Sequence, residues 1–497
     1  MKKHLIHFLL VAVLSVFSAA AFAQTTVRGQ LVDSETGEPL VGAAVMVEGT
    51  SQGTVTDIDG YFKQSVAQGG TLVFKYVGFK DLKKKITQKG ASVDLGTIKM
   101  EPDAVMLADV TITSSIAVAR KTPVAVSTID PVFIEEKLGT QEFPEILKST
   151  PGIYATKDGG GFGDSKINIR GFKSENSAMM VNGVPMNGME NNKVYWSNWS
   201  GLSDVTRSIQ VQRGLGAAKV ASPAVGGSIN IITKTTEAKK GGSVSYAMGN
   251  GYNKILFNLS SGLSKDGWAF SLLGAKTWGD GYIQGTEFEG YTWFVSIAKR
   301  FNDNHQLSLT AFGAPQWHNQ RSNQNGLSIK EWQRVKQYMG EDSPYKYNST
   351  FGYRHGQSYN SSRNSYHKPQ ISLNHLWQID QKSSLSTALY VSIGRGDGYR
   401  GTGDSTYANS WYGSTNGLVN TQFRRPDGTF DYDAVETMNA ESTNGSKMVM
   451  SKMMNNHLWY GLLSTYTTKF GENFDFYGGI DFRYYKGLHQ DILTDLF

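Results

Sequence analysis

The chain has 497 residues, a formal net charge of +6 and no cysteine, which excludes disulfide scaffolds, thiolate metal sites and cysteine nucleophiles. Only 19% of the residues are charged, below the usual quarter of a soluble protein, while 24 Tyr, 24 Phe and 10 Trp lean the composition toward β structure. The positive balance is small and scattered, so nucleic acid is not an expected partner.

Residues 1–23 read as a secretory signal. Lys2 and Lys3 give the charged start, Leu5 to Phe17 is an apolar run too short for a good span, and Ala21-Phe22-Ala23 is a small-x-small cleavage site. No later run of about 18 apolar residues occurs, so the exported chain is expected to be either soluble or a β-barrel of an outer membrane.

Residues 24–103 predict a small β-sandwich. Val27, Gly29 and Leu31 begin a strand, Asp33 to Pro39 is a turn, and Val45 and Val47 alternate with Ala44 and Met46. Asp57-Ile58-Asp59-Gly60 lacks the later ligands of a calcium loop and reads as a turn into Tyr61-Phe62. Gly29, Asp33, Thr36-Gly37, Pro39-Leu40, Gly42-Ala43, Gly49-Thr50, Gly53-Thr54, Thr56-Asp57 and Asp59-Gly60-Tyr61-Phe62 closely resemble the carboxypeptidase-regulatory-like domain. The resemblance implies an accessory module and no peptidase, because the zinc-site histidines and glutamate have no counterpart in it.

Residues 104–117 are a linker with one extended stretch, Asp109-Val110-Thr111-Ile112-Thr113. By itself that stretch reads as one more edge strand of the sandwich. Residues 118–238 are mixed α/β. A short helix is expected over Phe143 to Lys148, closed by Pro151-Gly152. SKINIRGF is a strand with Ile167 and Ile169 on one face, and AMMVNGVPMN is a strand, an Asn-Gly turn and a short return. In SIQVQRGLGAAKVASPAVGGSINIITK, Lys219 stands where a dinucleotide fingerprint needs its third glycine, and no Gly-Lys-Ser/Thr follows for a phosphate loop.

From residue 239 to 497 the pattern is strands of about ten residues alternating apolar with small or polar side chains. In SLSTALYVSI, Leu385, Thr387, Leu389, Val391 and Ile393 share one face. Tight turns at 265–267, 302–304, 380–382 and 471–473 alternate with long polar stretches near 279–290, 318–368 and 397–455, as in a transmembrane barrel. Trp268, Trp278, Trp317, Trp377 and Tyr399 lie at segment ends, where interfacial girdles sit. About nine strands are expected, against the 22 of plugged transporters. In the tail QDILTDLF, Asp491 and Asp495 fall on the parity of a lipid face. That argues against a closing strand and suggests a C-terminally truncated barrel.

Ile169-Arg170-Gly171, Val181-Asn182-Gly183-Val184-Pro185, Arg213-Gly214 and Gly226-Gly227-Ser228-Ile229-Asn230-Ile231-Ile232-Thr233-Lys234 together resemble the plug of TonB-dependent outer-membrane receptors. Gln210 and the segment near Val220 depart from that pattern, which removes an acidic and an aromatic position. The resemblance implies a mainly β fold: an N-terminal β-sandwich, a mixed α/β plug and part of a transmembrane antiparallel β-barrel. It implies structural roles for Arg170, Gly171, Asn182, Gly183, Arg213, Gly214, Gly226 and Gly227, with Arg170 and Arg213 expected to face barrel carboxylates. It makes Asp109 to Thr113 the strand that pairs with a TonB-type inner-membrane energy-transducing complex, whose pull rearranges the plug.

The implied function is import of a scarce nutrient, an iron chelate, cobalamin-like cofactor, glycan or peptide, across an outer membrane of Gram-negative type, with the accessory domain in the periplasm. The implied partners are outer-membrane lipid, the small nutrient ligand and, for a glycan, a surface lipoprotein. No cofactor, metal or catalytic residue is implied, and neither His-Glu-x-x-His nor Gly-x-Ser-x-Gly occurs. Asn191, Asn192, Tyr195, Trp196 and Trp199 are the ligand-binding candidates, and packing of the aromatics against the barrel wall is the alternative. A non-transporting receptor and a soluble carbohydrate-binding β-protein remain the other readings.

Overall fold

The computed structural model describes residues 24–497 apart from 35–36, 51, 68, 77–78, 88–89, 91, 102–124, 130, 158–161, 164, 214–223, 235–239, 322–325 and 472–473. The signal segment, the Asp109 to Thr113 stretch and Gly214 therefore lie outside the described residues. The chain divides into two compact units, Met1–Ile112 and Thr113–Phe497.

The first unit is a seven-stranded sandwich: β1 (Gln24–Asp33), β2 (Ala44–Val47), β3 (Gly53–Val55), β4 (Tyr61–Ala67), β5 (Thr71–Lys75), β6 (Leu82–Lys85) and β7 (Ser92–Met100). One sheet runs β4-β1-β7 and the other β3-β2-β5-β6. Val27, Leu31, Val45, Phe62 and Phe74 fill the space between them, with Phe62 edge-on to Phe74 at 5.4 Å, as the alternating apolar positions require. The Asp57 carboxylate accepts from the Asp59 and Tyr61 backbone N–H groups at 3.0 and 2.8 Å. Its oxygen is thus committed to turn chemistry.

The second unit begins with the plug. Its central sheet contains β8 (Ala125–Ile129), β12 (Ser177–Val181), β13 (Val184–Pro185), β14 (Thr206–Arg213) and β15 (Gly227–Thr233), in the order β13-β12-β15-β14-β8. A smaller sheet holds β9 (Ile153–Lys157), β10 (Ser165–Ile169) and β11 (Phe172–Lys173). Helices α1 (Pro131–Leu138), α2 (Phe143–Ile146) and α3 (Leu202–Val205) cover them. Ile209 pairs with Ile231 and Val211 with Ile229, so the two ends of the glycine-rich stretch are antiparallel neighbours. Helix α1 escapes sequence reading because Val132, Phe133 and Ile134 are consecutive and suit a strand as well as a helix.

The remaining residues form an antiparallel meander of nine long strands: β16 (Gly241–Gly249), β17 (Tyr252–Ser260), β18 (Trp268–Gly279), β19 (Phe288–Arg300), β20 (His305–Gly313), β25 (Gln370–Gln378), β26 (Ser384–Gly403), β30 (Met448–Phe470) and β31 (Phe474–Asp495). Short β21 (Gln316–Asn319) and β24 (Arg363–His367) prolong it. Among the described residues β16 pairs only with β17 and β31 only with β30, so the sheet is open. Leu389 and Ile393 are 51% and 60% exposed while Ala388 and Tyr390 are buried. This inverts a water-soluble sandwich: the apolar face is the exposed one, and the small and polar face lies under the plug. No described helix is long and apolar enough to cross a membrane.

The outer stretches differ from the sequence reading. Residues 397–403 and 448–455 are strand, so β26, β30 and β31 run 20, 23 and 22 residues. A tilted crossing needs only about 9–11, so these strands extend well past the bilayer. Asp491 and Asp495 sit on that extension and pair with Arg400 and Arg354; they are not on a lipid face. Tyr399 joins the core above the membrane, and Trp317 is stacked under Arg363 at 4.4 Å, whereas Trp268 and Trp377 remain exposed.

The connections 320–362 and 404–447 fold together into a lid. It contains α4 (Ile329–Met339), β22 (Phe351–Arg354), β23 (Gln357–Asn360), β27 (Ser414–Thr415), β28 (Leu418–Val419), β29 (Phe430–Asp431) and α5 (Tyr432–Ala440). β22 pairs with β29 across the two connections, and Trp411, Phe430, Tyr432 and Val435 form a common core. Ser328 and Asp431 cap the two helices, accepting from the Glu331 and Ala434 N–H groups.

The lid rim carries paired charges. The His355 N–H, then Arg425, hold Asp433 below the usual carboxylate range. Burial pushes Glu436 up, but its bonds from Arg354 and His355 outweigh this and leave it lowered too. A lowered folded pKa gives stability that is present above the unfolded value and lost as pH falls through the folded one. Protease nicking within 404–447 is therefore expected to rise as pH drops from about 6 to about 3. Equal nicking across that range would refute the role of these pairs.

Candidate functional site

The plug surface that meets the inner face of the meander is built on Asn187. This buried amide donates to the carbonyls of Ser174, Ser177 and Asn192 at 3.3, 3.1 and 2.9 Å, and accepts from the Met179 N–H at 2.8 Å. It thus ties the loop that follows, residues 188–195, through Asn192 to β12 and the turn ahead of it. Asn182 and Asn230 do the same one layer below: Asn182 brackets Thr233, and Asn230 Oδ1 accepts from the Gly183 N–H at 3.0 Å. A side chain on Gly226 would lie 2.6 Å from Ser177 Oγ, so only glycine lets β15 start against β12.

Four ties hold the plug to the strands. Lys254 of β17 donates to both carboxylate oxygens of Asp204 in α3, at 2.7 and 2.6 Å, with both side chains nearly buried. Thr292 of β19 donates to the Ser200 carbonyl at 2.9 Å, and a Cβ on Gly201 would stand 2.3 Å from Thr292 Oγ1. Gln370 of β25 donates to the Pro185 carbonyl at 3.2 Å. Glu190, on the plug loop, accepts from Tyr485 OH at 3.1 Å and meets His489 Nε2 at 2.7 Å, both on β31.

Between the plug loop and strands β24, β25, β26, β30 and β31 lies a cavity of about 750 Å³. This is the size of a small-molecule site. The plug contributes Glu175, Glu190, Asn191, Lys193, Tyr195 and Asn198, and the strands contribute Tyr366, Lys368, Asn455, His457, Trp459 and Tyr485. Tyr195 is 53% exposed, and its hydroxyl accepts from Asn191 Nδ2 at 2.9 Å. On the wall, Ser392 Oγ of β26 and His457 Nε2 of β30 share a hydrogen bond at 2.8 Å.

Of the sequence-named ligand candidates, Asn191, Tyr195, Trp196 and Trp199 border this cavity. Asn192 turns away and donates to the Glu175 carbonyl with a left-handed backbone, φ 55°. Trp196 is stacked on Phe143 of the plug and Trp199 on Phe312 of β20, with ring centroids at 5.1 and 5.7 Å. Both indoles thus also serve as packing. Arg170 and Gly171 make the turn between β10 and β11. Arg213 does not reach a barrel carboxylate: it donates to the Pro151 carbonyl at 2.8 Å and to Ser127 Oγ at 3.1 Å, stapling the plug to itself. Sequence reasoning missed Asn187, Glu190, Asp204, Lys254 and Lys368. Asn-Gly in NGMENN was the one local sign of a structured loop.

A second cluster lies on the lid, where His355, Asp433 and Glu436 bring their polar atoms within 4.8 Å of one another. Arg425 and Arg354 already bind the two carboxylates, so the charge a cation would seek is matched within the protein.

Comparison with known proteins agrees with this architecture. The family described as CarboxypepD_reg-like domain matches residues 27–112, and the TonB-dependent Receptor Plug Domain matches residues 118–228. The TonB-dependent receptor SusC of Bacteroides thetaiotaomicron is 27% identical over 316 residues, covering 61% of this chain and 30% of that protein. The vitamin B12 transporter BtuB of Vibrio vulnificus is 27% identical over 188 residues, covering 35% of this chain and 30% of that protein. Among solved structures, the pyoverdine outer membrane receptor FpvA from Pseudomonas aeruginosa PAO1 gives a TM-score of 0.53 at 12% identity, covering 75% of this chain and 48% of that one. The ferric-catecholate import receptor Fiu from E. coli K12 in its open form gives 0.51 at 13%, covering 76% and 52%. Identities this low show the fold alone, and the chain spans about a third of the length of these curated relatives. In its two domain matches, and in a plug docked on strands whose outer face is apolar, the chain is similar to the TonB-dependent receptors.

Proposed function

We propose that the protein is an outer-membrane importer that moves a scarce nutrient past its plug when a TonB-type inner-membrane complex pulls on the segment Asp109 to Thr113. The observation that carries this reading is the plug seated by a few polar ties on the inner face of strands whose outer face is apolar and exposed. Ligand enters through the lid into the cavity above residues 188–195, and the energy partner adds a strand to the chain ahead of the plug. The accessory sandwich then lies in the periplasm. The cargo is an iron chelate, a cobalamin-like compound, a glycan or a peptide. A surface lipoprotein over the lid accompanies the glycan case.

The cysteine-free chain makes the test clean. Single cysteines placed at positions 109–113 are expected to form disulfides with cysteines on an edge strand of the partner's periplasmic domain, and Ile112→Pro is expected to abolish them by removing a backbone donor. Absence of cross-links at every position would leave a receptor that does not transport.

A further inference from the structure

The charge and surface chemistry of the cavity narrow the cargo, given the importer reading. Four lysines (Lys166, Lys173, Lys193 and Lys368) line it against two glutamates, with no arginine or aspartate among the described lining residues. Both glutamates are engaged: Glu175 by Lys193 at 3.8 Å, and Glu190 by His489 and Tyr485.

Lys368 is different. It stands half-buried on the wall between β24 and β25, its Nζ 5.3 Å from the Tyr366 ring centroid. Among the described residues no carboxylate lies within ion-pair distance of it; Glu190 reaches it only as a charge across the cavity. An ammonium removed from part of its water with a ring face beside it but no carboxylate in contact costs free energy that an incoming anion recovers.

The rest of the wall suits hydroxyls and ring faces. Asn191, Asn198, Asn364 and Asn455 offer paired donors and acceptors, and Tyr195, Tyr366 and Trp459 offer aromatic surface. Trp196 Nε1 and Asn198 Oδ1, a donor and an acceptor on one plug turn, are buried and have no hydrogen-bond partner among the described residues. Neither atom is exposed to the cavity, so the surface a guest meets is that of the asparagines and rings above.

We propose that the cavity binds an acidic oligosaccharide, a chain of hydroxyl-rich rings bearing carboxylate or sulfate, with Lys368 anchoring the anionic group.

The test is calorimetry on the full detergent-solubilised chain with oligogalacturonates, sulfated oligosaccharides, maltooligosaccharides of matched length and a ferric catecholate chelate. The acidic sugars are expected to bind and the neutral ones not, with binding weakened by salt. Lys368→Gln should weaken the acidic sugars by about tenfold to a hundredfold, the value of a hydrogen bond to a charged group, and Lys368→Arg should retain most of it. Equal binding of neutral sugars, binding of the ferric chelate in place of saccharides, or no binding of the acidic panel would each overturn the proposal. The comparison of acidic with neutral sugars on the unaltered chain decides the matter even where a variant fails to fold. Binding needs no energy source, so failure here is separate from failure of the cross-linking test, which bears on transport.

Discussion

Lys254→Met should loosen the plug at its most buried tie. The substitution leaves the Asp204 carboxylate, 7% exposed, without its cation, and breaking a buried pair from one side costs about 3–5 kcal/mol. The Lys234 ammonium is close by, but it donates to the Asp204 backbone carbonyl at 3.2 Å. It therefore offers only partial relief. The expected result is earlier protease access to α3 and β14 on urea titration, while the strands persist. Asp204→Asn combined with Lys254→Met should recover much of the loss, because the uncompensated charge is then gone. A single variant that opens at the same urea concentration as the parent would show that the plug is held by packing alone, through Trp199 on Phe312 and Phe162 on Phe288.

Arg424→Met should unfold the lid locally. The Arg424 guanidinium is half-buried and donates to four carbonyls: Asn420 at 3.2 Å, Ser349 at 2.8 Å, Gly428 at 3.2 Å and Gly413 at 3.0 Å. These carbonyls come from both long connections, so one side chain closes the seam between them. Methionine fills similar volume but takes the donor from the Ser349 and Asn420 carbonyls, each at about 1–3 kcal/mol where water cannot reach, while the Gly413 and Gly428 carbonyls keep the Asn420 N–H and the Tyr347 hydroxyl. Hydrogen exchange is expected to accelerate across 344–362 and 408–435 with the strands unchanged, and Arg424→Lys should rescue little because an ammonium lacks the planar fork. Unchanged exchange in both segments would show that the aromatic core of Trp411, Phe430 and Tyr432 suffices.

These two devices also show where sequence reading stops. The alternation in 384–393 was legible, because a strand's period of two is a local property of the backbone. It did not say which face meets water. Only the plug, seated over Ala388 and Tyr390 and leaving Leu389 exposed, decides that the apolar side faces out. The Asn182-Gly183 turn was legible because left-handed backbone selects those residues. The continuation of β26 and β30 to residues 403 and 448 was not. Glycine and polar residues there read as loop, and their strand conformation rests on a ladder from Gly403 and Met448 onward to a partner some 45 residues away.

The tail aspartates failed for a related reason. Their parity was read against a bilayer, and only the 22-residue length of β31 and the positions of Arg354 and Arg400 place them above it. Local chemistry, then, determined what is short-range in this protein: the sandwich turns, the plug hairpins, the facial alternation of the strands and the motifs by which the chain resembles its family. The tertiary structure alone decided the parts that join residues far apart: Asp204 with Lys254, Glu190 with His489, Arg424 with the Ser349 carbonyl, and Lys368 with no carboxylate in contact among the described residues. Such pairings are set by how strands and loops stack in space. Side-chain identity at each position constrains them only weakly, because a lysine on a strand reads the same from sequence whether it meets water, a carboxylate or an empty cavity.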